Sequence, residues 1–572
     1  MEATTIDRFG RKAAGACTRP VKAGPALTAA GPGNGPVTAG GASSAAEPAW
    51  ALTATEAPAS PRSVADRIET LGTPRLPRVT FWGLAMLAAV AGGVLLRFWA
   101  TSDLWLDEAQ SVVVARLPLD QLPGALRHDG APPLYYVLLH GWTALFGTGS
   151  VAVRALSGVI SVACLPLIWS MGRRLGGPRV GAISLLLLAS SPFAVRYATE
   201  TRMYSLVILL TLLGFHALDW NARRPGWRPA LGVALVTAAV LYTHYWGIWL
   251  VAAVAAGLVW RSVRGPERGS SRWALAGVAV GAAAFLPWVP TLLFQLGHTG
   301  TPWADQASLA GVVHSIGLWA GGSGAFGRLQ GLLFFALLGL GIFGRPQGPS
   351  GILLDLRGRP TGRWLAGASV GTLALALTAA LVTSSSYSVR YTAVAFAPFL
   401  VLLALGADTF ADLRLQRGVV AVAVLLGYVA AVPLVVQSRT QAGEVAAALA
   451  ARATPGDVVA YCPDQLGPAV SRLAPAGLDQ LVYPTGARPG RVDWIDYAAR
   501  NEASSPADFV RAVEERGRGH GIWLVYTNGY HSLEEKCLSV RILLARSRPV
   551  TTVLSPRPRV FEREALLYFA PR

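Results

Sequence analysis

Apolar residues run in long blocks from about residue 80 onward, and the charged residues fall between the blocks. Blocks near 80–100, 151–171, 179–195, 204–220, 229–243, 246–260, 273–294, 329–344, 364–383, 391–407 and 418–436 predict about eleven membrane-crossing helices, several shorter than the roughly 20 residues of a straight crossing. The run 134–147 is apolar too, but it is short and follows Pro132-Pro133, so it is expected to lie along the interface. The pattern changes at 438. Short β-rich runs at 458–462, 478–484, 521–527, 551–554 and 565–570 alternate with helical patterns at 441–452, 464–474, 506–517 and 532–546. Such alternation predicts a small α/β domain. Residues 1–78 are rich in Ala, Gly, Pro, Ser and Thr and contain no apolar run of signal-peptide length, which predicts a disordered tail. The expected fold class is a polytopic α-helical membrane protein with a C-terminal extracytoplasmic α/β domain: tail 1–78, membrane region 79–437, soluble region 438–572.

Composition supports the membrane reading. Hydrophobic types make up 52% of the 572 residues and charged types only 14%, against roughly 25% charged in soluble domains; mean hydropathy is +0.43. The net charge of +18 leaves nucleic acid and membrane orientation as rival causes. Placement decides between them. The region 79–437 carries 24 basic and 12 acidic residues, the tail nine and six, and the C-terminal region 17 and 14. With the N-terminus in the cytoplasm, the inner connections hold Arg173, Arg174, Arg223, Arg224, Arg357, Arg359 and Arg414, and the outer ones hold most of the acids. The charge is therefore an orientation signal in a cell-membrane protein, and nucleic-acid binding has no support. Four cysteines make no disulfide framework. Cys462 and Cys537 both lie in the C-terminal region. A disulfide between them and a pair of buried free thiols are both open readings.

Four polar clusters fall at predicted outer membrane edges. Asp107 and Glu108 follow the first span; Glu200, Arg202 and Tyr204 lie in RYATETRMYS; Arg390 precedes the span at 391; His244 lies in YTHYWGIW. Each has an ordinary explanation. The acids suit a helix N-terminus, the Glu-Arg pair a solvated loop, Arg390 a lipid-headgroup contact, and the aromatic segment an interfacial belt. Their shared placement adds a chemical reading. Arginines neutralise a departing phosphate, a carboxylate takes the proton of an attacking hydroxyl, and a divalent cation (Mg or Mn) on Asp107 and Glu108 would assist the leaving group. A substrate with a lipid tail and an anionic head fits such an edge.

LWLDEAQS (104–111), GAPPLYYVLLHGW (130–142), VRALSG (153–158), YATETRMYSL (197–206) and RYTAVAFAPFLVLLALG (390–406) together resemble the GT-C glycosyltransferases, in particular the branch of bacterial protein mannosyltransferases and aminoarabinose transferases. The resemblance covers about residues 80–407. It implies transfer of a sugar from a polyprenyl-phosphate donor to an acceptor hydroxyl on a glycan, lipid or protein at the outer membrane face, with inversion. It implies Asp107 as base and Glu108 as its partner at the acceptor or a metal. It also implies Glu200, Arg202 and Tyr204 at the donor pocket, Arg390 on the lipid phosphate, and Arg154 assisting. Many relatives have a histidine before Pro-Pro where this chain has Ala131; His128 and Asp129 lie nearby as substitutes on an acceptor or metal loop. Two other classes compete. A transporter or flippase for lipid-linked sugars would show repeated halves or ionisable groups at the bilayer midplane. A non-catalytic scaffold would lack the charged residues that are present here.

Overall fold

The computed structural model describes residues 81–265, 268–299, 307–322, 324–348, 351–383, 387–528 and 533–572. The expectation of a disordered tail over 1–78 lies outside the described residues. The apolar blocks form helices. Among the described residues, eight helical stretches are long and apolar enough to cross a membrane, and Phe81–Leu96, Leu134–Phe146, Trp227–Thr243 and Leu309–Trp319 are shorter apolar helices. The protein is a multi-pass α-helical membrane protein.

The helices depart from the sequence blocks over residues 150–198 and at 309–319. Blocks 151–171 and 179–195 meet in one helical run, Ser150–Ala189, broken only at Gly177, where φ is 87° and ψ −178°. A side chain strains that left-handed backbone and glycine does not, so Gly177 folds the run back on itself. The returning arm stops at Ser190, and a separate helix, Pro192–Ala198, starts with the Ser191 hydroxyl accepting from the Ala194 amide at 3.2 Å. Leu309–Trp319 was not among the predicted elements, because an 11-residue apolar run with a histidine inside falls below span length. The run predicted to be interfacial is a helix of 13 residues, Leu134–Phe146. At 1.5 Å per residue it reaches about 20 Å, too short to cross.

The best-buried helix is Ala393–Ala407, in which every residue is buried. A helix that is apolar on all sides belongs at the centre of a bundle. It packs against Ala325–Phe343, Ser150–Ala189 and Tyr204–Arg223. Surrounding helices expose Leu84, Leu87, Leu235, Leu296 and Leu332 outward, as lipid-facing positions require. Two strands, β1 (Gly344–Gln347) and β2 (Gly351–Leu354), form an antiparallel hairpin between helices.

Beyond Val436 the chain forms a five-stranded mixed sheet. The strands are β3 (Val458–Cys462), β4 (Asp479–Val482), β5 (Ile522–Tyr526), β6 (Val550–Leu554) and β7 (Ala565–Phe569), in the order β4-β3-β5-β7-β6. β3 pairs in parallel with β4 and β5, while β7 runs antiparallel to β5 and β6. VVAYC and IWLVY are buried at every position, as central strands covered on both faces must be. Cys462 and Cys537 form a disulfide, with Cα atoms 5.4 Å apart.

The bundle and the sheet share apolar cores. Trp105 and Leu106, just past the first helix, sit in one cluster with Val458, Cys462, Tyr483 and Leu524. The short helix Gly467–Ser471 packs on Leu106–Ala115. The first connecting loop is therefore held between the two parts.

Candidate active site at the rim of the bundle

Helix Leu106–Ala115 begins after Trp105, whose side chain makes no capping bond, and its first turn contains Asp107 and Glu108. Acids there are favoured by the helix dipole. Adjacent helical positions point about 100° apart, so the two carboxylates enter different surroundings.

Glu108 points inward and is fully buried. Arg154 Nε donates to its Oε1 at 2.8 Å and Nη2 to its Oε2 at 2.6 Å, a two-pronged pair, and the Thr201 amide donates at 2.9 Å. Burial alone would raise this carboxyl; Arg154 overrides burial and holds it below the usual carboxylate range. The remaining Arg154 donors reach the carbonyls of Ser102 and Asp103. Arg154 and Glu108 are thus fully engaged, by each other and by the surrounding backbone.

Asp107 faces the opposite way. Arg390 Nη1 donates to its Oδ2 at 2.5 Å, and Arg202 Nε lies 3.9 Å from the same oxygen. The Asp107 and Arg390 side chains keep 16% of their surface exposed. Arg202 Nη1 also donates to Ser111 Oγ at 3.1 Å and to the Tyr136 hydroxyl at 3.2 Å. Tyr136 donates in turn to Asp129 Oδ2 at 2.6 Å, while Gln110 Nε2 donates to Asp129 Oδ1 at 2.5 Å. Asp129 ends helix Leu122–Asp129, which Gly130 terminates at φ 78°. Asp129 therefore joins the charge cluster through Tyr136. His128 does not; its Nδ1 lies 3.0 Å from Asp493 of the C-terminal region.

The other predicted residues gather around this centre. Glu200 is buried and pairs with Arg196 Nη2 at 3.0 Å rather than with Arg202. The Tyr204 ring is 5.9 Å from His244, and His244 is 5.1 Å from Tyr391, beside Arg390. His244 is thus buried inside the cluster and does not anchor a lipid-facing belt. All four polar clusters of the sequence meet at one rim. Nearby, a cleft of about 740 Å³ opens between the two loop helices and the segment 487–493, with Gln110, His128, Asp129, Arg488 and Arg491 in its walls.

The donor set does not fit a divalent cation. Arg154 takes both oxygens of Glu108, Asp107 faces two guanidinium groups, and no group of three His, Cys, Asp or Glu side chains gathers among the described residues. The cluster has instead the make-up of an anion site with one carboxylate at its edge.

Residues 130–291 match the family model described as dolichyl-phosphate-mannose-protein mannosyltransferase. The structure is similar to ArnT from Cupriavidus metallidurans in the apo state, with TM-score 0.57, and to ArnT bound to undecaprenyl phosphate, with TM-score 0.54. In both cases identity is 14%, over 86% of this chain and 99% of the other. The chain has a GT-C-like fold. Arabinofuranosyltransferase AftD from Mycobacteria aligns at TM-score 0.47 and 15% identity over 86% of this chain and 40% of that one. No curated protein matches the sequence.

Within this GT-C fold, several site residues had no individual signal. Tyr136, Gln110 and Ser111 lie inside the quoted motifs but are ordinary helix residues by type. Arg439 and Glu562 come from the C-terminal region, outside the resemblance. The Arg439 guanidinium donates to the Thr199 carbonyl and hydroxyl, both at 2.6 Å, and burial lowers it to about 9. Glu562 Oε1 accepts the Leu106 amide at 3.0 Å. Burial pushes Glu562 up to about 8 and raises its neighbour Glu564 as well.

Proposed function

We propose that this protein transfers a sugar from a polyprenyl-phosphate donor to an acceptor hydroxyl at the outer face of the cell membrane. One observation carries the reading: a single partly open carboxylate, Asp107, sits against two buried-edge arginines, Arg390 and Arg202, at the rim of a GT-C bundle. The acceptor oxygen attacks the anomeric carbon while its proton passes to Asp107. The bond from that carbon to the phosphate oxygen breaks, and the polyprenyl phosphate leaves with its charge balanced by Arg390 and Arg202. Attack opposite the leaving group inverts the anomeric centre. Arg390 donates to Asp107, so a donor phosphate competes for that guanidinium and frees the carboxylate for the acceptor. The sugar is a hexose, mannose included, or a pentose; the acceptor is a glycan, lipid or protein. Glu108 and Arg154 support this centre as a sealed pair. Asp129, held through Tyr136, lies where the cleft meets the charge cluster, which suits a role toward the acceptor.

The positive-inside count supports an outer-face site and C-terminal region, and the Cys462–Cys537 disulfide suits an oxidising compartment. Protease accessibility in sealed vesicles tests the side. Purified protein incubated with a panel of polyprenyl-phosphate sugars should release polyprenyl phosphate with one donor, and NMR of the product should show inverted anomeric configuration. No release with any donor, from protein that still binds polyprenyl phosphate, would argue for a carrier or scaffold.

A further inference from the structure

The end of the C-terminal region reaches back to the helix that carries Asp107. Leu106 is the first residue of that helix, and its amide is one of the donors a helix leaves unpaired at its start. The preceding residue, Trp105, supplies no side-chain acceptor. The acceptor comes instead from a residue 456 positions away, Glu562, whose Oε1 lies 3.0 Å from the Leu106 amide. Phe561 stacks edge-on against Trp105 with ring centroids 5.2 Å apart. Trp105 and Leu106 are themselves buried in the sheet core.

Glu562 is fixed from behind. Its amide donates to the Arg439 carbonyl at 2.7 Å, and its carbonyl accepts the Gln441 amide at 3.1 Å. The Arg439 amide donates to Ser102 Oγ at 2.8 Å, and the Arg439 guanidinium holds Thr199. One brace, Arg439 with Glu562, therefore touches both sequence segments that supply the charge cluster: 102–107, which leads to Asp107, and 199–202, which leads to Arg202.

We propose that Glu562 is a positioning residue for the transfer reaction: it caps the Asp107 helix from the C-terminal region and sets where the Asp107 carboxylate sits relative to Arg390 and Arg202. The proposal rests on Asp107 being the base. A capped first turn keeps a fixed axis, and Asp107, one residue past the cap, moves with any fraying of that turn. A glutamine carries a side-chain carbonyl oxygen at the position of Oε1, which can accept the same Leu106 amide, so it is a close stand-in.

The test uses the full-length protein and assays transfer at saturating and limiting donor. Glu562→Gln should keep kcat within about two-fold, because the amide oxygen still accepts the Leu106 N–H. Glu562→Ala should lower kcat by roughly 10- to 100-fold, as small misplacements of reacting groups do, with the KM for donor changed far less, because Arg390 and Arg202 themselves are retained. Glu562→Leu fills the space without an acceptor and should behave like the alanine variant. Glu564→Ala, which removes a neighbour that takes the Thr440 hydroxyl rather than the Leu106 amide, should leave kcat unchanged. Normal kcat in folded Glu562→Ala or Glu562→Leu overturns the proposal. Loss of the fold in both, with Glu562→Gln intact, also overturns it, since Glu562 is then a brace of the domain only. Asp107→Asn assayed alongside separates the two claims: an active Asp107→Asn protein removes the base itself, whereas an inactive one beside an active Glu562→Ala removes only the cap.

Discussion

The inner and outer sides of the first-loop helix use the same chemistry for different ends. On the inner side Glu108 and Arg154 are both nearly inaccessible, joined by a two-pronged pair and further engaged by the Thr201 amide and the Ser102 and Asp103 carbonyls. On the outer side Asp107 meets Arg390 by one bond and Arg202 at 3.9 Å, with surface left open. A saturated buried pair resists change, because separating it strands a charge in a low dielectric. A pair with surface left open can exchange partners with an incoming phosphate or hydroxyl. Adjacent carboxylates in one helical turn thus become a structural fixture and a reactive group, and burial with hydrogen-bond count makes the difference.

The largest effect that tests this division is on activity. Asp107→Asn should lower transfer by about 10²- to 10⁴-fold, the usual worth of a general base, with thermal unfolding in detergent close to that of the unaltered protein. Retained turnover would mean that the outer carboxylate is not the base. The mirror experiment is Glu108→Gln, which should cost about 3–5 kcal/mol of stability by leaving Arg154 uncompensated, seen as a lower unfolding temperature or loss of monodisperse protein. A stable Glu108→Gln protein with lost turnover would reverse the two assignments. A smaller effect is expected for Arg390→Lys. The charge stays but the planar fork is lost, so donor KM should rise roughly 10-fold while turnover at saturation falls less.

The smallest effect sharpens what an arginine does for a buried carboxylate. Asp464 is buried like Glu108, but its close partner is the Tyr497 hydroxyl at 2.6 Å. Burial pushes it up to about 7 from 3.8. Between about pH 4 and pH 7 the folded chain keeps a proton that the unfolded chain releases, so this group lowers stability as pH rises through that window. Asp464→Asn, which still accepts from Tyr497, should flatten that part of the pH–stability curve. An unchanged curve would show that Asp464 is ionised in the folded protein.

Much of the bundle was legible because lipid imposes a simple rule: apolar blocks must be helices, and their flanking arginines mark one side. The paired blocks 151–171 and 179–195 predict two spans, and the structure adds that Gly177 turns one into the other. The meeting of Asp107, Arg202, Arg390 and His244 was foreshadowed by their placement at the same membrane edge. The partners were not. Nothing local told Glu108 to pair with Arg154, Glu200 with Arg196, or His128 with Asp493, since each choice depends on which way a side chain points once helices pack. The disulfide is one of two open readings of the sequence, and only the folded C-terminal region brings Cys462, at the end of β3, to Cys537, in helix Glu534–Ser547.

The sequence by itself determined the membrane class, the strand-helix alternation of the C-terminal region and the short list of residues able to do chemistry, because periodicity and charge placement are written residue by residue. Tertiary structure alone decided which of two neighbouring acids stays available, and that the C-terminal region grips the helix bearing it through Glu562 and Arg439. Those contacts join positions hundreds of residues apart, and their strength comes from burial, which exists only after the chain has folded.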